Sequence, residues 1–479
     1  MRRGILSATV AIAFVFALGG TTFAQPSSEP MSLDFAEALA TDAKIYAELY
    51  QVNFDEAVKR LSVMASTNEN VVEAAASQGA DFGGAYYDNV TSDFGVVVRT
   101  KGQSRTDKTV IRRGNAELRA RSKADREARR AERRALRAKF SVADAEVESA
   151  ETILAQDTTY KIRFRGGAAK SLKELSDALA ENGEQVRKIP GFQTSYIDQK
   201  SGEIVLLVVK GDVEAARTAV SSLFKVPVRI DEVPGKFVDV ALRGGQFTIE
   251  QSRQYCMTSF AVKRNSDNKL GVMTAGHCQS ANPISIKDTD AKTYALTQSD
   301  AFDNSADYDQ MFLSGTPSAV AEFYFDNSGT ARSVTGTRSR TSTTAGNGTL
   351  TTASTVPGTF VCHLGQKTLG SAIKAQSCGE VLSTFAHRGA GTTYNGSYVL
   401  VRNTQSGAGT VRTSGTGTLI CFEGDSGGPF FANTTAYGVA SACLWAGGSK
   451  SSPADGSTLY IMYSSVDFFA TKGYTILVK

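Results

Sequence analysis

Apolar residues near the start of the chain recur first at helical spacing and then as a continuous run. Residues 42–47 and 54–61 place apolar side chains three and four positions apart, which predicts two helices. The run at residues 94–98, Phe-Gly-Val-Val-Val, is short and rich in β-branched residues, which predicts a strand. We therefore expect a helix–helix–strand unit within residues 25–104.

A second alternation of patterns extends from Thr159 to Val233. Its predicted elements follow in the order strand 160–164, helix 172–182, strand 204–209, helix 213–223 and strand 226–230. This order predicts a small α/β sandwich, which we assign to residues 151–237.

The pattern changes again at about Val238. Charged residues become rarer, Gly, Ser and Thr become more frequent, and short β-rich runs such as 260–262, 398–401 and 437–440 alternate with turn signals. This predicts an antiparallel all-β unit over residues 238–479, and its length of about 240 residues is the size of a double β-barrel.

Residues 1–24 have the pattern of an export signal. Arg2 and Arg3 precede an apolar stretch from Ile5 to Leu18, and small residues at Thr22 and Ala24 occupy the positions that a signal peptidase recognises. The alternative is a membrane anchor, but the apolar stretch is short for a span. We expect a secreted, extracellular protein with no membrane attachment after signal removal.

The formal net charge of +4 is unevenly distributed along the chain. Residues 112–139 contain twelve Lys and Arg against four Asp and Glu, a net charge of +8, so the remaining residues sum to −4. Residues 116–139 lack Gly and Pro, which favours a solvated helix. A nucleic-acid site would need an aromatic platform or a binding module beside it, so we interpret residues 105–150 as a basic helical spacer.

Candidate chemistry lies at residues 424–429, Gly-Asp-Ser-Gly-Gly-Pro. The backbone N–H groups of Gly424 and Ser426 could point together at an oxygen that becomes negative in a tetrahedral intermediate. A serine is a weak nucleophile and needs a base. Of the three histidines, at 277, 363 and 387, His277 stands in the motif Thr274–Cys278 directly after an apolar run, which suggests it as that base.

At these two motifs the chain resembles the chymotrypsin-like serine endopeptidases, with the histidine before the serine as in that family. Its first half resembles the pro-region of alpha-lytic protease and streptogrisin-like enzymes, and Arg243-Gly244-Gly245 resembles the start of their mature chains. The resemblance implies an all-β double β-barrel catalytic domain (238–479) preceded by an α/β (α+β) pro-region.

The resemblance also implies a function. It suggests a secreted serine endopeptidase that hydrolyses peptide bonds through an acyl-enzyme, acting as a monomer on protein or peptide substrates without a cofactor or metal. The pro-region would serve as intramolecular chaperone and inhibitor. The alternative is a catalytically inactive binding or adhesion protein on the same scaffold, although His277, Ser426 and Gly424 are all retained.

Two aspartates are candidates for the third member of a Ser-His-Asp triad. In the family this aspartate opens a strand, with large apolar residues three and four positions later. Asp309 fits, because Phe312 and Leu313 stand there. The family's common Asp-Tyr pair favours Asp307 instead. We assign Asp309.

The resemblance gives further roles to residues near Ser426. In relatives the aspartate before the serine pairs with a cation, and His363 stands at the matching position for Asp425. The walls of the substrate pocket would be Leu419, Ile420, Ser441 and Ala442, with an alignment open by one residue. With no acid at that wall, an apolar residue before the cleaved bond should be preferred, since a buried unpaired cation is costly.

Six cysteines all lie in the second half of the chain, which favours disulfides in an exported protein. Spacing alone leaves fifteen possible pairings. The resemblance implies nearest-neighbour pairs, which are Cys256–Cys278, Cys362–Cys378 and Cys421–Cys443.

Overall fold

The structure is a computed structural model that describes residues 33–121 and 144–479, together with a few residues between 124 and 131. Gaps interrupt these ranges, the longer ones at 325–330, 341–349, 367–373, 389–397, 404–418 and 446–457. The predicted export signal and most of the predicted basic helix lie outside the described residues.

The α-helices lie mainly in the first half of the chain. Their bounds are α1 (Leu33–Tyr50), α2 (Phe54–Ala65), α3 (Glu69–Ala76), α4 (Ala116–Ala120), α5 (Asp144–Ala155), α6 (Leu172–Glu181), α7 (Gly183–Arg187), α8 (Val213–Leu223) and α9 (Val466–Thr471).

Strands occur throughout and dominate the second half. Their bounds are β1 (Phe82–Asp88), β2 (Gly95–Thr100), β3 (Lys108–Arg112), β4 (Thr158–Arg165), β5 (Phe192–Asp198), β6 (Glu203–Val209), β7 (Val228–Val233), β8 (Val238–Asp239), β9 (Arg243–Gly244), β10 (Phe247–Glu250), β11 (Arg253–Met257), β12 (Ala261–Arg264), β13 (Leu270–Thr274), β14 (Ile284–Lys287), β15 (Thr293–Asn304), β16 (Tyr308–Ser314), β17 (Glu322–Tyr324), β18 (Ala331–Ser333), β19 (Gly336–Thr337), β20 (Phe360–Gln366), β21 (Lys374–Arg388), β22 (Tyr398–Arg402), β23 (Pro429–Ala432), β24 (Thr435–Trp445), β25 (Thr458–Ser465) and β26 (Tyr474–Ile476).

The first unit packs α1, α2 and α5 around a four-stranded sheet of order β1-β2-β4-β3. The side chain of Asn53 accepts a hydrogen bond from the N–H of Glu56 at 2.8 Å and so caps the start of α2. Strand β4 forms where the sequence predicts it, but it pairs with β2 and β3 and not with the second α/β unit. The first unit therefore extends to Arg165.

The basic segment is not one continuous helix in its described part. Helix α4 ends at Ala120, because the backbone of Arg121 turns to an extended conformation with ψ of 128°. The guanidinium of Arg121 then lies 3.2 Å from the carboxylate of Glu151 on α5, which draws the chain against the first unit.

The second unit packs the apolar faces of α6 and α8 on the sheet β5-β6-β7. Ser171 and Glu174 form a reciprocal capping box at the start of α6. The sheet continues into the second half of the chain, since β5 pairs antiparallel with β21 and places Tyr196 opposite Ala386.

The second half has the double β-barrel fold that the sequence predicts. The strands of the first barrel belong to a sheet of order β26-β12-β13-β16-β15-β14-β10-β11-β9, and those of the second follow the order β20-β23-β24-β25-β22-β21. The cysteines pair as Cys256–Cys278, Cys362–Cys378 and Cys421–Cys443, the pairs that the resemblance implies. No described helix is long and apolar enough to span a membrane.

Candidate active site

Ser426 lies in the loop that leads into β23, and this loop packs against the first barrel. Its carbonyl oxygen accepts a hydrogen bond from the N–H of Met257, at the end of β11, at 2.9 Å. Gly427 has a φ of +83°, and a Cβ there would come within 2.1 Å of the Met257 carbonyl oxygen. Glycine is therefore required beside the serine for this close approach between the barrels.

His277 lies in a 3₁₀ turn, Gly276–Cys278, shortly after β13. The disulfide between Cys256 and Cys278 ties this turn to β11. The backbone N–H of His277 donates a hydrogen bond to Oδ1 of Asp309 at 2.8 Å. Covalent and hydrogen-bonded anchors thus hold both the backbone and the ring of the histidine.

The structure brings three predicted side chains into one hydrogen-bonded row. Nδ1 of His277 lies 2.6 Å from Oδ2 of Asp309, and Nε2 of His277 lies 2.7 Å from Oγ of Ser426. The His277 side chain is 14% exposed, whereas Asp309 and Ser426 are fully buried. The first barrel supplies the histidine and the aspartate, and the second supplies the serine.

Asp309, near the start of β16, has a further partner that the sequence assigned elsewhere. Its Oδ2 accepts a hydrogen bond from Oγ of Ser441 at 2.5 Å. Burial acts to raise the pKa of Asp309, but the charge of His277 and the hydrogen bonds from His277 and Ser441 outweigh it and lower the pKa. The carboxylate is therefore ionised at neutral pH.

Two other aspartates are close in the chain or in space. Asp307 lies outside the described residues. Asp303, on β15, is opposite Asp309 in the strand ladder. Burial and the negative charge of Asp309 raise the pKa of Asp303, while His277 acts to lower it. No sequence signal marks Asp303, because its position beside the row depends on the pairing of β15 with β16.

The predicted oxyanion donors are the backbone N–H groups of Gly424 and Ser426. Gly424 has a φ of +114°, a conformation that favours glycine. The N–H groups of Asp425, Gly427 and Gly428 donate within the protein. Within the part of the chain that the structure describes, the N–H groups of Gly424 and Ser426 donate to no other residue.

His363, which the sequence places at the position of the expected cation, does not pair with Asp425 as a cation. The buried carboxylate of Asp425 accepts hydrogen bonds from the N–H of Gln366 and the N–H of Phe422, each at 2.9 Å. Burial lowers the pKa of His363 to about 3, despite an opposing effect of the Ile420 backbone, and its ring nitrogens make no hydrogen bond of normal geometry. His363 is therefore neutral, and N–H donors stabilise the carboxylate.

The predicted pocket residues do not form one accessible wall. Leu419 is fully buried in the core of the second barrel. Ala442 is also buried, in a cluster that includes Tyr196 from the second unit. Ser441 binds Asp309, so Ile420 is the predicted wall residue that remains half-buried.

A short strand at the start of the second half of the chain lies along β24 beside these residues. Strand β8 pairs antiparallel with β24, placing Asp239 opposite Ala442 and Val238 opposite Cys443. Since the strands are antiparallel, β8 runs from Cys443 toward Ala442, the neighbour of Ser441, which contacts Asp309.

The described residues contain no group of three His, Cys, Asp or Glu side chains that could hold a metal ion.

Comparisons with known proteins gave matches among solved structures alone. No protein-family model and no curated protein matches the chain. A Nocardiopsis protease is 18% identical with a TM-score of 0.32, covering 49% of this chain and 98% of its own. A Cellulomonas bogoriensis chymotrypsin is 17% identical with a TM-score of 0.31, covering 50% and 99%. Thermobifida fusca protease A is 16% identical with a TM-score of 0.32, covering 50% and 99%.

Proposed function

We propose that the chain is the precursor of a secreted serine endopeptidase. The observation that supports this most directly is the row of hydrogen bonds from Asp309 through His277 to Ser426, at 2.6 Å and 2.7 Å. These are the distances that a nucleophile, its general base and the orienting acid need.

In the proposed reaction, Oγ of Ser426 attacks the carbonyl carbon of the scissile peptide bond while Nε2 of His277 accepts its proton. The carbonyl oxygen becomes negative and accepts hydrogen bonds from the N–H groups of Gly424 and Ser426. The intermediate then expels the amine, which takes the proton from His277, and an acyl-enzyme remains. Water repeats the same steps to release the acid and restore Ser426.

Asp309 would hold His277 in the tautomer that carries its proton on Nδ1, and would stabilise the imidazolium without accepting that proton. Ser441 would act as a positioning residue, because its hydroxyl donates to the same carboxylate oxygen. A carboxylate with two donors on one oxygen has little freedom to rotate.

We also propose that residues 25–237 are a pro-region that assists folding and inhibits the enzyme. The burial of Ser426 supports inhibition. Strand β8, which directly follows this region, pairs with β24 beside the site and runs toward Ser441. We therefore propose that the maturation cut falls within residues 240–242, which lie outside the described residues.

The proposed substrates are peptides or proteins with an apolar residue before the cleaved bond. Ile420 supports this preference, while Leu419 no longer does because it lies in the core. A peptide-library cleavage profile tests the preference. A dominant preference for Arg or Lys would contradict it and would point to Glu423 or Asp455, both outside the described residues.

Labelling with a fluorophosphonate, which reacts with activated serines, tests the activity itself. The wild-type protein should become labelled once the pro-region has been cut off and released. Ser426→Ala should not become labelled, whereas Ser299→Ala, on β15, should be labelled like the wild type. Absence of both labelling and peptide cleavage in the wild-type protein would favour the inactive binding protein.

A further inference from the structure

Helix α1 of the first unit carries an acidic residue that is buried against the second half of the chain. Asp42 is 1% exposed, although it lies near the middle of a helix whose neighbouring polar residues are partly accessible. A buried carboxylate is costly unless it is paired and hydrogen-bonded. Its partners therefore indicate why an acid occupies this position.

Three donors from the second half of the chain converge on this carboxylate. Nη1 of Arg332 donates to Oδ1 of Asp42 at 3.0 Å, and Nε2 of Gln376 donates to the same oxygen at 2.7 Å. The backbone N–H of Asn433 donates to Oδ2 at 2.7 Å. We call Arg332, Gln376 and the N–H of Asn433 the carboxylate socket.

The socket is held in shape by contacts among its own members. Arg332 also donates to the carbonyl oxygen of Asn433 at 3.1 Å and to Oε1 of Gln376 at 3.0 Å. Its guanidinium lies 4.9 Å from the centroid of the Phe431 ring. The donors are thus oriented by groups of the second half and not by Asp42 alone.

Several other contacts of the first unit with the second half go to main-chain atoms, although Tyr50 and Asn89 also donate to the carboxylate of Glu380. Arg338 donates to the carbonyl oxygens of Ala65 and Ser66 at the end of α2, at 3.0 Å and 2.7 Å. Asn89 donates to the carbonyl oxygen of Gly358 at 2.7 Å. Contacts with backbone carbonyls do not depend on which side chains those residues carry, whereas the socket requires a negative charge.

We propose that the carboxylate socket is the recognition site by which the second half of the chain binds the first unit, with the Asp42 carboxylate as its ligand. The ion pair joins residues 290 positions apart, so it links separate folding units and not neighbours within one element. Arg332 is 3% exposed, and breaking such a buried pair is far more damaging than its net stabilisation suggests. The proposal goes beyond the peptidase activity and does not depend on it.

The first test uses the full-length Ser426→Ala chain, which stays uncut whether or not the wild type is a peptidase. The substitutions Asp42→Asn and Glu48→Gln are each added to this chain, and hydrogen exchange of α1 and α2 is compared with that of the parent. Glu48, an exposed acid on the same helix, serves as the matched control. Exchange should be at least about 100-fold faster in Asp42→Asn, while the strands of the second unit stay protected. Glu48→Gln should behave like the parent.

Two outcomes of this test would overturn the proposal. One is unchanged exchange of α1 and α2 in Asp42→Asn. The other is an equal effect of Glu48→Gln, which would indicate a general charge effect on the helix. Arg332→Gln should reproduce the Asp42→Asn pattern, and the double variant should be little worse than either single one, because both remove the same pair.

A second test asks directly whether the socket binds a carboxylate, and remains informative if Asp42→Asn folds poorly. A small cavity lined in part by Asp42, Asn433 and Tyr437 adjoins the site, and removal of the Asp42 carboxylate would enlarge it. In the Asp42→Ala chain, formate on the order of 0.1 M should restore the protection of α1, and chloride at equal ionic strength should not. Restoration should be lost in Asp42→Ala with Arg332→Gln. Equal effects of formate and chloride would refute a carboxylate site.

Discussion

Replacing Asp309 with asparagine tests the proposed mechanism through a change of almost no volume. The carboxylate accepts three hydrogen bonds, from the backbone N–H and Nδ1 of His277 and from Oγ of Ser441. Asparagine offers one oxygen and one NH₂ group, so one of the two sides must lose its acceptor. Which side loses it decides the effect on activity.

The structure indicates which orientation the amide of Asp309→Asn will take. An NH₂ group in the place of Oδ1 would face the backbone N–H of His277, which cannot become an acceptor. An NH₂ group in the place of Oδ2 would face Nδ1 of His277, which can lose its proton by a change of tautomer, and the hydroxyl of Ser441, which can rotate. The second orientation is favoured, and it leaves a proton on Nε2, where His277 can no longer accept one from Ser426.

We therefore expect turnover to fall about 10⁴-fold in Asp309→Asn, equivalent to roughly 5 kcal/mol of transition-state stabilisation. Peptide hydrolysis by the purified protein measures it, and intact mass reports whether self-cleavage slows as well. Asp303→Asn, a neighbouring acid outside the row, is the matched control and should stay within about tenfold of the wild type, as should Asp307→Asn. Near-normal turnover in Asp309→Asn, or a larger loss in Asp307→Asn, would refute the assignment.

Three further predictions concern the catalytic unit, folding and pH. Ser426→Ala and His277→Ala should each lower peptide turnover by several orders of magnitude, with the double variant little worse, since the triad acts as a unit; near-normal turnover of Ser426→Ala would contradict the nucleophile. Residues 238–479 refolded alone should stall as an inactive species and recover activity when residues 25–237 are added in trans, because non-local β pairing is slow; fast refolding alone would argue against a chaperone. Burial holds His363 neutral with a pKa of about 3, so its contribution to stability is complete above about pH 6.5 and is lost as the pH falls toward 3, by ~1.4 kcal/mol per pH unit. Urea unfolding of the Ser426→Ala chain should show this change of unfolding free energy with pH, and adding His363→Leu should reduce it. Equal pH dependence in the two chains would show that another group titrates.

Much of the local structure could be predicted because helix and strand periods are properties of short segments. Residues 54–61 lie within α2, residues 213–223 form α8, and residues 398–401 lie within β22. In each, the spacing of apolar residues matches the period of the element that forms. The change of pattern at about Val238 likewise predicted the double β-barrel.

Strand partners could not be predicted, because pairing is decided between distant segments. Strand β4 appeared at the predicted place yet joined the first unit, through parallel pairing with β2. Leu419 was predicted at a pocket wall, but the pleat of its segment turns it into the barrel core. A shift of one residue exchanges the two faces of a strand, and no local pattern reveals it when both faces are buried.

The candidate site divides in the same way. By itself the sequence determined which side chains could do the chemistry, since Ser426 and His277 stand in short motifs that a few residues define. Only the tertiary structure decided how those side chains are supported, because Ser441 meets Asp309 across 132 residues and Asp42 meets Arg332 across 290. Such contacts depend on the packing of whole barrels and helices, and a hydrogen bond of under 3.5 Å exists only once that packing has brought its two ends together.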